Sequence, residues 1–303
     1  MIIFLTTKAD KLDMVNLILF SETAGDLAAA FPDAKRIEER VFPDGESYVR
    51  LPANCRGKDV IILHRCYPSP NENLIKLFLI VDAVRAHSPS SLRVFIPYLP
   101  YARMDKVVKE WEAVSADTIC RMLKGLGCTE LITIDCHFIK QGAGLFERAG
   151  LKIRNISAAD VLLDYLRGIA LNPIVTSPDE GAAYMSSRTE GGKAMKKIRG
   201  EYGEGKSAYR QIDRLEAGFD VKERDVIIID DMVSTGSTMV KAVSVLKSAG
   251  ARKVFCAATH GLFLNNALEK LFASGADEVV TTDSIKSPAA KIHITELLRG
   301  VIL

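Results

Sequence analysis

Short apolar runs, continuous rather than alternating, recur along the chain: DVIIL at 59–63, LRVFIP at 92–97, LITID at 131–135, IVTS at 174–177, VIIID at 226–230 and KVFCAA at 253–258. Strands covered on both faces read this way, because no position along them meets water. Between the runs, apolar residues recur at helical spacing over 73–86, 115–125 and 237–249, and Gly250 stands where a helix C-cap is expected. Strands alternating with helices predict an α/β fold with a mostly parallel sheet flanked by helices.

The pattern also repeats. KDVII at 58–62 leads through a loop and a helix to RVF at 93–95, and RDVII at 224–228 leads through a loop and a helix to KVF at 253–255. One strand–loop–helix–strand unit in each half predicts two similar lobes with a boundary near residue 150. A length of 303 residues fits that division, being about twice a typical domain of ~150.

Composition narrows the function classes. The 40 Lys and Arg nearly balance the 38 Asp and Glu, for a formal net charge of +2. Nucleic-acid coats and polybasic membrane anchors need a concentrated positive field, so neither partner is expected. The 48% hydrophobic content excludes a disordered chain, and no uncharged apolar run reaches the ~18 residues of a spanning helix. The six cysteines are scattered without a CxxC pair, as in VFCAA at 254–258, and read as buried thiols in a reducing compartment. The start MIIFL lacks a basic stretch and its apolar run stops at Thr6, so the expectation is a cytoplasmic protein without a secretory signal.

Candidate chemistry concentrates in VIIIDDMVSTGST at 226–238. A buried strand ends in Asp230 and Asp231, and a turn of Ser234, Thr235 and Gly236 opens a helix at Ser237 and Thr238. Free N–H groups and the positive end of a helix dipole suit a phosphate dianion, and the hydroxyls add donors. Two adjacent carboxylates suit the vicinal hydroxyls of a sugar. The plainer alternative is an ordinary helix cap beside a solvated acidic turn, but the arrangement is longer than a cap requires.

At these residues the chain resembles the phosphoribosyl-pyrophosphate binding motif of the type I phosphoribosyltransferase fold. Other segments resemble ribose-phosphate diphosphokinase (phosphoribosyl pyrophosphate synthetase), especially archaeal-type members. FPDGESYVR at 42–50 is similar to the family's FxDGE segment, YARMDK at 101–106 to PYARQDK, TIDCH at 133–137 to DLH, and SPDEG at 177–181 to SPDxG. THGLF at 259–263 and TTD at 281–283 follow in order. The resemblance covers roughly residues 16–300.

It implies two tandem type I phosphoribosyltransferase-like lobes, at 16–150 with ATP contacts and 151–303 with the ribose 5-phosphate loop, preceded by an extension at 1–15. A chain beginning at Met14 is expected to fold. The implied reaction moves the diphosphoryl group of ATP to ribose 5-phosphate, with Mg²⁺, in a homo-oligomer. Asp230 and Asp231 would bind the ribose hydroxyls, and Ser234, Thr235, Gly236, Ser237 and Thr238 the 5-phosphate. Phe42, Asp44 and Glu46 would contact adenine, Arg103 and Asp105 would serve ATP, and His137 and Asp179 would ligate Mg²⁺ directly or through water. Taken alone, Phe42 reads equally as a core anchor, Asp179 as a turn residue and His137 as a satisfied polar residue. Trp111 reads as either an interface aromatic or a substrate lid.

Two departures bear on activity. Met104 stands where the family has Gln, and in GEGKSAYRQIDRL at 203–215 Ile212 stands where it has a catalytic Lys. Arg214 keeps its place, and Lys206 or Arg210 would have to supply the missing cation. Arg188, Lys193, Lys196, Lys197 and Arg199 are expected to form a basic helical face. The alternatives are a catalytically reduced paralogue that binds nucleotide and regulates a synthetase partner, and a phosphoribosyltransferase.

Overall fold

The computed structural model describes residues 2–4, 17–198 and 214–302. The chain divides into two compact units, Met1–Ser157 with Ile294–Leu303, and Ala158–His293.

The first unit holds strands β1 (Ile2–Phe4), β2 (Leu17–Phe20), β3 (Lys35–Arg36), β4 (Glu38–Val41), β5 (Ser47–Arg50), β6 (Asp59–Leu63), β7 (Ser91–Phe95), β8 (Glu130–Ile134), β9 (Gly144–Arg148) and β10 (Leu151–Ile156). Its longer helices are α2 (Pro70–Ala86) and α3 (Ser115–Gly125), after a one-turn α1 (Gly25–Ala28). One sheet runs β1-β9-β10-β8-β7-β6-β2-β3, antiparallel only where β9 meets its two neighbours, while β4 and β5 form a separate hairpin. Part of the segment expected as an extension thus lies on the sheet, with Ile2–Phe4 paired to Phe146–Arg148.

The second unit holds α4 (Ala159–Arg167), β11 (Ile174–Ser177), α5 (Ala183–Ser186), β12 (Lys193–Ala194), β13 (Lys196–Ile198), β14 (Arg214–Glu216), β15 (Asp225–Val233), α6 (Ser237–Ser248), β16 (Lys253–Gly261), α7 (Ala267–Ala273), β17 (Glu278–Thr282) and β18 (Ala290–Ile292). Its sheet, ordered β12-β11-β15-β16-β17-β18, is parallel throughout, and β13 and β14 form an antiparallel hairpin. The last helix, α8 (Thr295–Ile302), belongs to the first unit, where Arg299 donates to the Ala30 carbonyl at 3.2 Å.

The repeat read from sequence is a repeat of topology. The order β3-β2-β6-β7-β8-β10 in one sheet is matched element for element by β12-β11-β15-β16-β17-β18 in the other. It extends to packing. Val60 and Ile62 of β6 share a core cluster with Leu74, Leu77, Ile80, Val81 and Val84 of α2. Val226 and Ile228 of β15 share one with Met239, Ala242, Val243 and Leu246 of α6. The alternate residues Ile61, Leu63, Ile227 and Ile229 are equally buried, on the opposite faces by the alternation of a strand. Each such side chain contributes about 1.5–3 kcal/mol on leaving water, which is why these strands read as unbroken apolar runs.

The expected basic helical face is not a helix. Lys193 and Lys196–Ile198 are strand residues, after a turn at Gly191 and Gly192. Gly191 has φ +73, and a Cβ on Gly192 would meet the Ser186 carbonyl oxygen at 1.9 Å, so no helix passes through. Arg188 is bonded to Asp160 on α4.

Candidate active site

In the second unit the chain leaves β11 for the outer strand β12 on one side and later places β15 on the other. Ligands of open α/β sheets bind in the crevice beyond the carboxyl ends of two such strands. Asp179 stands at the end of β11, capping a short 3-10 turn through a 2.8 Å bond from the Gly181 N–H to its Oδ1, while Ser177 Oγ donates to its carbonyl at 2.7 Å. Asp230 and Asp231 lie in the last four residues of β15, which runs on to Val233 beyond the expected end at Asp230, and Asp231 donates its N–H to Asp230 Oδ1 at 2.8 Å. Burial raises the Asp230 carboxyl well above the ordinary carboxylate range, and the charges of Asp231 and Asp179 push it the same way. The crevice therefore holds negative charge that invites hydrogen-bond donors or a cation.

The turn after β15 is shaped by Gly236. Its φ is +73, and a Cβ there would stand 3.0 Å from the Cβ of Ala267, the first residue of α7. Both conditions favour glycine. Gly236 is the N-cap of α6 and carries no capping side chain, so no side-chain cap closes the N-terminus of this 12-residue helix, where Ser234, Thr235, Ser237 and Thr238 cluster in sequence. Thr235 and Ser237 hydroxyls lie 3.5 Å apart. The turn is backed by Leu262 and Phe263, which donate to the Val233 carbonyl at 3.0 and 3.1 Å, and by Leu264, which donates to Ser234 at 2.9 Å. Behind it, His260 Nδ1 lies 2.8 Å from Ser284 Oγ, and Ser284 and Thr282 donate to the Thr259 carbonyl at 2.9 and 2.7 Å. The result is a rigid cradle for an anion beside paired acceptors for hydroxyls.

In the first unit, Phe42, Asp44 and Glu46 form the exposed turn of the β4–β5 hairpin. The Phe42 N–H donates to Glu46 at 2.8 Å, the Gly45 N–H to Phe42 at 2.9 Å, and the Glu46 N–H to Asp44 Oδ1 at 3.1 Å. Gly45, at φ +93, makes the turn possible, and Phe42 remains 49% exposed against the edge of Tyr48. Phe42 is thus not a core anchor. The hairpin is tied down by Glu39, whose carboxylate accepts the Glu22 N–H at 2.6 Å and lies 3.6 Å from Lys76 Nζ on α2.

Arg103 and Asp105 lie on the loop between β7 and α3. Buried Arg148 anchors it, donating to the Asp105 carbonyl and the Asp117 carboxylate at 2.6 Å each. Met104, where an amide was expected, is 41% exposed. His137 follows β8, half-buried, after Asp135 at φ +37 and Cys136, whose N–H donates to Asn155 Oδ1 at 2.9 Å.

The comparisons agree over most of the chain. Residues 29–127 match the family described as the N-terminal domain of ribose phosphate pyrophosphokinase, and residues 207–299 match the phosphoribosyl synthetase-associated domain. A ribose-phosphate pyrophosphokinase of Sulfolobus acidocaldarius is 33% identical over 271 residues, covering 88% of this chain and 90% of that protein. One from Pyrococcus furiosus is 36% identical over 262 residues, covering 85% and 89%. The chain belongs to the ribose-phosphate pyrophosphokinase family. The crystal structure of a phosphoribosylpyrophosphate synthetase from Mycobacterium smegmatis is similar at a TM-score of 0.79 and 27% identity, covering 95% of this chain and 97% of that one.

Within this pyrophosphokinase fold, the structure brings Asp179, Asp230, Asp231 and Ser234–Thr238 to one crevice of the second unit. Phe42, Asp44 and Glu46 share one hairpin turn, and Arg103 and Asp105 one loop. Lys206 and Arg210 lie outside the described residues. Arg214 opens β14 opposite Ile198, so residues 199–213 connect the two strands of the second hairpin. Among the described residues no three His, Cys, Asp or Glu side chains are placed to hold a metal ion by themselves, and no described helix is long and apolar enough to cross a membrane. The backing wall of Leu262–Leu264 and Ala267 was missed as part of the site. Leu262 and Phe263 belong to the THGLF segment quoted above, to which no site role was attached.

Proposed function

We propose that this chain transfers the diphosphoryl group of ATP to the C1 hydroxyl of ribose 5-phosphate, giving 5-phosphoribosyl 1-pyrophosphate and AMP. The crevice carries this reading, because a phosphate cradle at a helix N-terminus adjoins paired carboxylates at the distance of one strand end. The 5-phosphate occupies the turn Ser234–Thr238, and Asp230 and Asp231 accept from the ribose hydroxyls. Those donors favour the charged form of Asp230, opposing the upward push of burial.

The C1 hydroxyl oxygen attacks the β-phosphorus, the bond to the α,β-bridging oxygen breaks, AMP departs and the hydroxyl proton is lost. Phe42 stacks on adenine while Asp44 and Glu46 accept from its amine, and Arg103 and Asp105 position the nucleotide. Arg214, with Lys206 or Arg210, offsets charge on the transferring group, a role in which a supplied cation is worth ~10³–10⁵ in rate.

The donor set fits Mg²⁺ as a partly protein-bound ion. Asp179, Asp230 and Asp231 lie close enough for their charges to interact, and Mg²⁺ takes one or two carboxylates and fills its shell with water and phosphate oxygens. When bound, the ion neutralises phosphate charge. Asp179 would hold it directly, and His137 of the first unit would serve Mg²⁺ only through water, since imidazole is a poor Mg²⁺ ligand. We place this chemistry in the cytoplasm, in a homo-oligomer; all six cysteines are free and buried.

The experiment is to incubate the protein with ribose 5-phosphate, ATP and Mg²⁺ and quantify AMP. Stoichiometric AMP and phosphoribosyl pyrophosphate are expected. Saturable binding of both substrates without AMP would identify the catalytically reduced paralogue instead, the outcome to which Ile212 points.

A further inference from the structure

The loop that carries Arg103 is closed and rigid, and its tip is an exposed indole. Met104 and Ala116 close it, the Ala116 N–H donating to the Met104 carbonyl at 3.1 Å, and Arg148 bonds both flanks through Asp105 and Asp117. Inside, Glu112 Oε2 accepts the N–H groups of Val108 and Lys109 at 2.9 Å each, which hold its carboxyl below the usual range. Trp111 then stands at φ +70 with 92% of its surface exposed. A bulky side chain rarely adopts that backbone region. The fold therefore holds a large aromatic ring, in a strained conformation, out in water.

Exposed apolar and charged residues alternate along this loop, with the cations Arg103, Lys106 and Lys109 and the anion Glu110 set among Met104, Val107, Val108 and Trp111. A protein–protein contact core is depleted of charge, whereas aromatic faces interleaved with cations suit a base attached to phosphates. Resting on the proposed function, we infer that Trp111 stacks on the nucleobase of the ATP that this loop receives, as a second aromatic contact beside Phe42 that sets nucleotide affinity.

Trp111 is the single tryptophan of the chain, so its emission reports on this position alone. Full-length protein is titrated with MgATP and separately with ribose 5-phosphate, with binding followed in parallel by calorimetry. MgATP should change the emission saturably at the calorimetric Kd, and ribose 5-phosphate should not. Trp111→Gly should raise the KM for ATP about tenfold, the scale of a lost base stack, without altering the KM for ribose 5-phosphate. Its melting temperature should equal or exceed that of the native chain, because glycine accepts φ +70. Trp111→Phe should recover most of the lost affinity. Normal AMP formation with unmoved emission overturns the stacking role while leaving the proposed function intact. Emission that follows protein concentration rather than ATP assigns Trp111 to a contact between copies and overturns it equally. Failure of ATP to bind in the calorimeter overturns both.

Discussion

In the first unit, the strand that follows the topological switch opens at Asp59 and is continued by His64 and Arg65. In the second, the equivalent strand opens at Asp225 and reaches Asp230 and Asp231 at the same spacing. The opening aspartates do the same work, Asp59 bonding Arg93 at 2.8 Å and Asp225 bonding Arg252 at 2.6 Å. The other ends differ. His64 is satisfied on both nitrogens, by Ser21 Oγ at 2.8 Å and the Asn73 carbonyl at 2.9 Å, and Arg65 pairs with Asp26 at 3.0 Å. Helix α2 also begins with Pro70, which lacks an N–H, where α6 presents a full first turn. One crevice is filled by its own side chains, and the other carries Asp179, Asp230 and Asp231, where the ribose phosphate is proposed to bind. A duplicated fold can divide its labour this way without altering strand order, because the difference resides in a few residues at strand ends.

The hairpins extend the contrast. β4–β5 turns through Phe42–Glu46, and β13–β14 is joined by residues 199–213, so proposed adenine contacts and proposed charge-stabilising cations sit at the same topological station. The largest expected effect separates them. Arg214→Ala should lower kcat by ~10³ or more, while Phe42→Ala should raise the KM for ATP by about tenfold. Steady-state kinetics that showed the reverse split would erase the distinction.

Next in size is the glycine of the cradle. Gly236→Ala adds strain of about 1–3 kcal/mol and crowds Ala267. It should weaken ribose 5-phosphate binding at least tenfold, read by calorimetry. Ser69, the exposed N-cap of α2, makes no capping bond, and Ser69→Ala should change stability by less than ~0.5 kcal/mol and binding not at all.

The equivalent residues His64 and Asp230 should also give stability opposite dependences on pH. Burial lowers His64 from 6.5 to about 4. Between those values the unfolded chain binds the extra proton, so this group's contribution falls as pH drops from 6.5 towards 4. Asp230 is raised from 3.8, so the folded chain holds the extra proton and stability falls as pH rises through its window. Melting curves of His64→Gln should lose the first dependence, and those of Asp230→Asn the second, with Asp230→Asn the more heat-stable protein near neutral pH. The smallest effect should come from beginning the chain at Met14. That change removes the three-residue edge strand β1 and should shift the melting temperature by only a few degrees, about 1 kcal/mol.

Strands buried on both faces were legible because burial writes itself as unbroken apolar runs, and the cradle because Asp-Asp and Ser-Thr-Gly-Ser-Thr concentrate chemistry at one strand end. The β4–β5 hairpin was not, since Glu38, Glu39 and Arg40 are charged and outside the core, where periodicity has nothing to report. Strand β16 runs beyond the expected Ala258 through Thr259, His260 and Gly261; Thr282 at the end of β17 donates to the Thr259 carbonyl, and Ser284 just after it meets His260. The filling of the first crevice was invisible for a related reason. Ser21 and His64 meet across 43 positions, and no local pattern encodes a side-chain pair at that separation. The return of α8 to the first unit is a contact of the same long range.

The contrast between the crevices is tested most directly by calorimetric titration of ribose 5-phosphate into the native chain, His64→Gln and Asp230→Asn. One equivalent per chain should bind to the native protein and to His64→Gln with the same affinity, and binding to Asp230→Asn should fall at least tenfold. Two equivalents per chain, or undiminished binding by Asp230→Asn with loss in His64→Gln, would contradict the assignment of the sugar phosphate to the second unit.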